Sequence, residues 1–195
     1  MLRPLTQIIL FTFVLCGSLP AANAKDSGRV LFDFSEADAN KQWQIVNDGV
    51  MGGRSSSQAT MAAEGQMRFA GNLSLENNGG FASVRSRPRS LQLTSGDTIV
   101  LRVRGDGRKY TFNLYVPRRQ TAFSFRAEFK TEADQWMEIK LPLDQFVATS
   151  FGRVVRGAKL NPQEVNAVGI LLGDKKAGPF QILIDSIKVQ SADVP

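Results

Sequence analysis

A chain of 195 residues, 43 % hydrophobic and 22 % charged with a formal net charge of +6, has an ordinary globular composition and enough length for one domain with a real core. It contains no histidine and a single cysteine, Cys16. Cys16 lies in a stretch where Arg3 precedes the apolar run Ile8 to Leu15 and the small-x-small site Ala22-Asn23-Ala24, the form of a secretory signal peptide. Residues 1–24 are therefore expected to be cleaved, leaving a single domain over 25–195 in a periplasmic or secreted location. A mature chain without Cys or His excludes Cys or Ser–His nucleophile systems, a His or Cys zinc site and a disulfide. Hard-cation sites built from carboxylates and carbonyls stay open, with calcium their natural occupant; no residue set here marks one, and no cofactor is expected.

In chain order, Arg29 to Phe34 reads as a first strand, followed by a helical turn around Ser35 to Lys41 that leads into Trp43. Gln66 to Leu75 reads as a strand pair or a bulged strand interrupted at Gly71-Asn72. After the turn Asn77-Asn78-Gly79-Gly80, a strand runs from Phe81 to Arg87 and is stopped by Pro88. Between Thr98 and Val116, two alternating runs flank Asp106-Gly107, which predicts a β-hairpin, since Asp-Gly is a strong hairpin-turn signal. Further strands are expected at Phe123 to Phe129, Trp136 to Leu143, Val168 to Leu172 and Phe180 to Val189, with a short capped helix at Asn161-Pro162-Gln163-Glu164. Roughly ten strands at the spacing of short sheets, with almost no helix, predict an all-β antiparallel β-sandwich.

The stretch Asn47 to Ser57, Asn-Asp-Gly-Val-Met-Gly-Gly-Arg-Ser-Ser-Ser, is the leading candidate for function. Gly49, Gly52 and Gly53 can take positive φ without a Cβ penalty, and Arg54 is expected to reach back to Asp48 as a bidentate partner. Met51 is an adaptable contact residue, and Asn47 and Ser55 complete the loop. Arg85, Arg87 and Arg89, like Arg102 and Arg104, recur at every second position and would line strand faces. Nucleic acid is not an expected partner, because no reading helix is recognisable. Carboxylates are the only acid–base candidates, and nothing sets two of them at the separation a glycosidase needs. Trp43, Trp136, Tyr110 and Tyr115 could form a sugar-stacking platform, but alternation puts Tyr110 in the core with its hydroxyl seeking a partner.

Taken together, Asn-Asp-Gly-Val-Met-Gly-Gly-Arg-Ser at 47 to 55, Phe-Ala-Gly at 69 to 71, Leu-Glu-Asn-Asn-Gly-Gly-Phe-Ala-Ser-Val-Arg at 75 to 85, Arg-Gly-Asp-Gly-Arg-Lys-Tyr at 104 to 110 and Gly-Pro-Phe at 178 to 180 resemble the complex I intermediate-associated protein 30 family. The resemblance implies a jelly roll of the galactose-binding-domain-like type and a non-enzymatic role, typified by mitochondrial members that assist assembly of NADH:ubiquinone oxidoreductase. It carries Asp48, Gly52, Gly53, Arg54, Asn77, Asn78, Gly79, Gly80, Arg104, Asp106, Arg108 and Tyr110 onto family motif positions. The expectation is thus a monomeric binder of a protein or membrane complex that uses the loop at 47 to 57 and the Asn-Asn-Gly-Gly turn, with an envelope carbohydrate-binding module as the alternative.

Overall fold

The computed structural model describes residues 28–35, 38–62, 64–117 and 122–192; the expected signal peptide lies outside them. Among the described residues there are thirteen strands: β1 (Arg29–Asp33), β2 (Trp43–Ile45), β3 (Ser56–Ala62), β4 (Gln66–Leu73), β5 (Ala82–Ser86), β6 (Thr98–Arg104), β7 (Lys109–Tyr115), β8 (Phe123–Lys130), β9 (Trp136–Pro142), β10 (Val147–Ser150), β11 (Arg153–Val154), β12 (Ala167–Leu172) and β13 (Gly178–Gln190). The helical segments among the described residues are short 3-10 turns. At Pro162–Glu164 the Asn161 side chain accepts from the Gln163 N–H as a cap.

The strands form two antiparallel sheets. One has the order β3-β4-β13-β6-β9, with β1 also paired to β13, and the other runs β11-β10-β8-β7-β12-β5-β2. Their inner faces bury the alternating apolar residues that define each strand: Phe69 and Met67 of β4, Tyr110, Phe112 and Leu114 of β7, Val168, Ile170 and Leu172 of β12, and Ile182, Ile184 and Ile187 of β13. This is the all-β antiparallel sandwich the alternation implied. Trp43 and Tyr110 are buried in that core, so neither contributes to an exposed aromatic platform.

Two expectations are corrected. The runs flanking Asp106-Gly107 do not pair: β6 pairs with β13 and β9 in one sheet, and β7 with β8 and β12 in the other. Gly107 does take the positive φ of a turn, +84°. The turn instead carries the chain across the sandwich, with Gly105 bridging in parallel to Ala133. Gly71-Asn72 does not interrupt β4, which pairs continuously with β3 and β13. Strand β3 lacks an apolar pattern because it is an edge strand with half-exposed residues, and the short strands β10 and β11 at the other sheet's edge gave as little sequence signal.

Gly71 has a packing reason. A Cβ there would stand 2.0 Å from the Ser56 carbonyl oxygen and 2.7 Å from Ser57 Cα, so β3 can approach β4 only across a glycine. Gly71→Ala is expected to destabilise the chain by about 1–3 kcal/mol through overpacking, read as a lowered urea midpoint with an unchanged m-value.

Candidate functional site

Strand register places the loops around 47–55, 74–81, 105–108 and 173–178 at one end of the sandwich, since Leu172 pairs with both Ala82 and Tyr110 and Gly178 pairs with Leu73. Two carboxylate-centred knots tie that end together.

Asp48 forms the first. Its residue is fully buried, and its carboxylate accepts from the Ser55 N–H at 2.9 Å, the Ser55 hydroxyl at 2.5 Å, the Gly80 N–H at 2.7 Å and the Phe81 N–H at 3.3 Å. Ser55 Oγ in turn accepts from the Ser74 N–H. Asn47 extends the knot, its side-chain oxygen accepting from Ser57 Oγ and the Ser83 N–H. Burial alone would push the Asp48 carboxyl up, but the hydrogen bonds from Ser55, Gly80 and Phe81 outweigh it and hold it below the usual carboxylate value.

The glycines serve this carboxylate. A Cβ on Gly53 would sit 2.4 Å from Asp48 Cγ, and one on Gly79 would sit 2.6 Å from Asp48 Oδ2. Gly52 and Gly80 take positive φ, +87° and +125°, and Asn77 and Asn78 share the left-handed region. Gly53 has no positive φ, contrary to expectation, and Gly49 has neither a positive φ nor a neighbour within 4 Å of a Cβ. Arg54 does not reach Asp48; it pairs with Glu76 at 2.8 Å in an exposed bridge. The reason is that Asp48 is already saturated by donors of the folded backbone. Beside this bridge Val50 (73 % exposed), Met51 (52 %) and Leu75 (45 %) point outward.

The second knot joins the sheet crossing to the turn before β13. Arg108 grips Asp174 with its fork, Nε to Oδ2 at 3.0 Å and Nη2 to Oδ1 at 2.6 Å, and also donates to the carbonyls of Lys176, Gly178 and Pro179. Asp106 accepts from the Arg108 N–H, the Tyr110 hydroxyl and the Gln181 N–H. Burial, reinforced by Asp106, pushes the Tyr110 phenol up. Hydrogen bonding to Asp174 raises the Arg108 guanidinium, and burial of Asp174 is overcome by that same bond, which lowers its carboxyl. Arg104 belongs to neither knot; on the outer face of β6 its guanidinium lies 5.3 Å from the Trp136 ring centre, beside Arg102.

A shallow trough of about 680 Å³ crosses the outer face of β3, β4 and β13, with Arg68, Asp106 and Gln181 among its walls. Sequence reasoning overlooked it, and it also left Arg126 on the outer face of the other sheet unremarked; a polar position inside an alternating strand was its signal. Among the described residues, no group of three or more Asp, Glu, His or Cys is placed to hold a metal ion.

Two consequences are measurable. Asp48→Asn puts amide hydrogens against donor N–H groups and should cost about 2–3 kcal/mol at neutral pH, whereas Arg54→Ala, at an exposed pair, should leave the Tm nearly unchanged. Because the folded-state pKa of Asp48 is depressed, its contribution is intact above the unfolded value of 3.8 and is lost as pH falls through the lower folded value. The stability gap between wild type and Asp48→Asn should therefore narrow below that pH in chemical denaturation series. Arg108→Met strands Asp174, whose side chain is 4 % exposed, and should cost about 3–5 kcal/mol. The double variant Arg108→Met/Asp174→Leu should recover part of that loss in the same assay.

A sequence profile of complex I intermediate-associated protein 30 matches residues 32–184. The mitochondrial complex I intermediate-associated protein 30 of Mus musculus is 30 % identical over 210 residues, covering 96 % of this chain and 59 % of that protein. The Drosophila melanogaster protein of the same name is 26 % identical, covering 83 % and 62 % respectively. The chain thus spans little more than half the length of these relatives. They are named as mitochondrial proteins, which overturns the expected periplasmic or secreted location. Among solved structures, the family 11 carbohydrate-binding module of a Clostridium thermocellum cellulase superposes with a TM-score of 0.64 at 13 % identity, covering 85 % of this chain and 95 % of that one. The agarase AgWH50C gives 0.61 at 12 % identity over 86 % of this chain and 25 % of its own. At those identities the likeness is one of fold, the galactose-binding-like β-sandwich. By the extent of the profile match and the share of this chain that its relatives cover, this chain belongs to the complex I intermediate-associated protein 30 family.

Proposed function

We propose that the chain is a non-enzymatic binding protein that assists assembly of a membrane protein complex, complex I being the one its relatives are named for. One observation carries the reading: a loop pinned from below by the buried Asp48 holds Val50, Met51 and Leu75 out into solvent around the Arg54–Glu76 bridge. Apolar side chains on a loop already ordered by its own hydrogen bonds suit a protein partner, because little conformational entropy is lost on docking. Asn77, which donates to the Gly52 carbonyl at 3.3 Å, ties the Asn-Asn-Gly-Gly turn into the same surface. Asp106 and Arg108 act by holding the adjoining loops rather than by contact.

The carbohydrate-binding alternative draws on the fold of its structural neighbours. It would want aromatic rings at the loop tips, and the exposed large apolar residues there are Val50, Met51 and Leu75. The test is cross-linking of the tagged chain in cells followed by mass spectrometry. Wild type should capture complex I subunits, and Val50→Ser/Met51→Ser and Arg54→Glu should capture severalfold less. Equal capture by all three, or capture of none, would remove the loop from this role.

A further inference from the structure

Across the outer face of the seven-stranded sheet, one register row reads Arg85 on β5, Gly169 on β12, Asn113 on β7, Arg126 on β8 and Val147 on β10. The two arginines are separated by three strand spacings, about 14 Å between Cα atoms. Between them Gly169 has no side chain and Asn113 is fully buried. A Cβ on Gly169 would stand 3.2 Å from both Arg85 Cγ and Tyr115 Cε2 and 2.8 Å from the Val84 carbonyl. Arg85 and Tyr115 therefore converge over this glycine, with the guanidinium 5.0 Å from the ring centre.

Each guanidinium is held by a hydroxyl of its own strand, and the Arg85 side chain also hydrogen-bonds Tyr115. Arg85 Nε donates to Ser83 Oγ at 3.3 Å and Arg126 Nε to Ser124 Oγ at 3.1 Å. Arg126 Nη1 lies 4.0 Å from where a Gly152 Cβ would be. No carboxylate among the described residues stands within ion-pair distance of either. Glu128, two residues on along the same face, is turned to Lys109 at 2.9 Å. Burial lowers the Arg126 guanidinium, the neighbouring Tyr115 phenol opposes that shift, and the like charge of Arg85 adds to it. Half-buried paired cations without a counter-charge are costly unless an anion completes them.

We propose that this cleft is a second docking surface, taking an extended acidic segment of a partner polypeptide whose carboxylates meet the Arg85 and Arg126 forks. Charge complementarity sets the acid, and the rim sets the polypeptide. Val147 and Val154 on the edge strands and Phe151 at their hairpin are exposed and suit apolar side chains beside the acid. Tyr115, the aromatic ring beside the row, is already covered on one face by Arg85. The inference rests on the protein-binding reading for its class of ligand, but on none of the loop residues.

The probe is a fluorescein-labelled peptide of alternating glutamate and serine ending in valine, titrated with the full chain by anisotropy. Arg85→Gln and Arg126→Gln, and replacement of the peptide's glutamates by glutamine, should each weaken binding by about tenfold or more. Val50→Ser/Met51→Ser should bind it like wild type, so that failure of the cleft and failure of the loop are told apart. In the wild-type chain the Arg85 and Arg126 Nε–H resonances should shift during the titration, a readout that does not depend on the variants folding. Unshifted resonances, unchanged binding by both arginine variants, or tighter binding of oligogalacturonate than of the peptide would overturn the proposal, the last by giving the cleft to an acidic glycan.

Discussion

A charged carboxylate with no access to water has to find its hydrogen bonds within the fold, and at Asp48 that requirement organises the loop end. Its donors come from two places in the chain: Ser55 in its own loop, then Gly80 and Phe81 more than thirty residues on. The demand explains why two separate glycine pairs appear in the sequence. Gly53 and Gly79 vacate the space that the carboxylate fills, and Gly52 and Gly80 turn the backbone so that N–H groups face it. The motif then divides cleanly. Its polar and glycine positions hold the loop, and its apolar positions, Val50 and Met51, are what the loop displays.

The Arg108 knot applies the same logic with a formal ion pair. Arg108 and Asp174 share two short hydrogen bonds with little exposure, while Asp106 gathers donors from the crossing, from Tyr110 and from β13. A buried pair of this kind contributes less to net stability than its attraction suggests. Its value is positional: it sets where the crossing between sheets lies relative to the first residues of β13. Both knots sit at one end, so the surface between them is rigid backbone carrying a few free side chains.

The sandwich was legible because its strands alternate so regularly: Phe123, Phe125, Ala127 and Phe129, for example, all face the core. The loop was legible as a special place, and the resemblance pointed to its family. What local reading missed was pairing. Asp106-Gly107 carries every mark of a hairpin turn, yet the choice between turning back and crossing over is made by distant groups, Gln181 and Ala133. Asp48 and Arg54 are complementary charges six residues apart, and the carboxylate was claimed by donors that no spacing rule could reveal. The Arg85–Arg126 row was invisible for the same reason, since four strands from three regions of the chain supply it.

The placement of β13 bears on how this molecule comes off the ribosome. It lies at the middle of its sheet and pairs with β1, β4 and β6, so that Arg29 finds its partner only when Val189 has been made. Until then β4 and β6 present unpaired backbone and apolar faces, surfaces that invite association with other nascent chains. The opposite sheet can assemble once β12 emerges, and would offer a half-built template on which the last strand closes the core. Vectorial synthesis thus imposes a late, long-range closure, and the time spent waiting for it is when shielding by a chaperone would matter most.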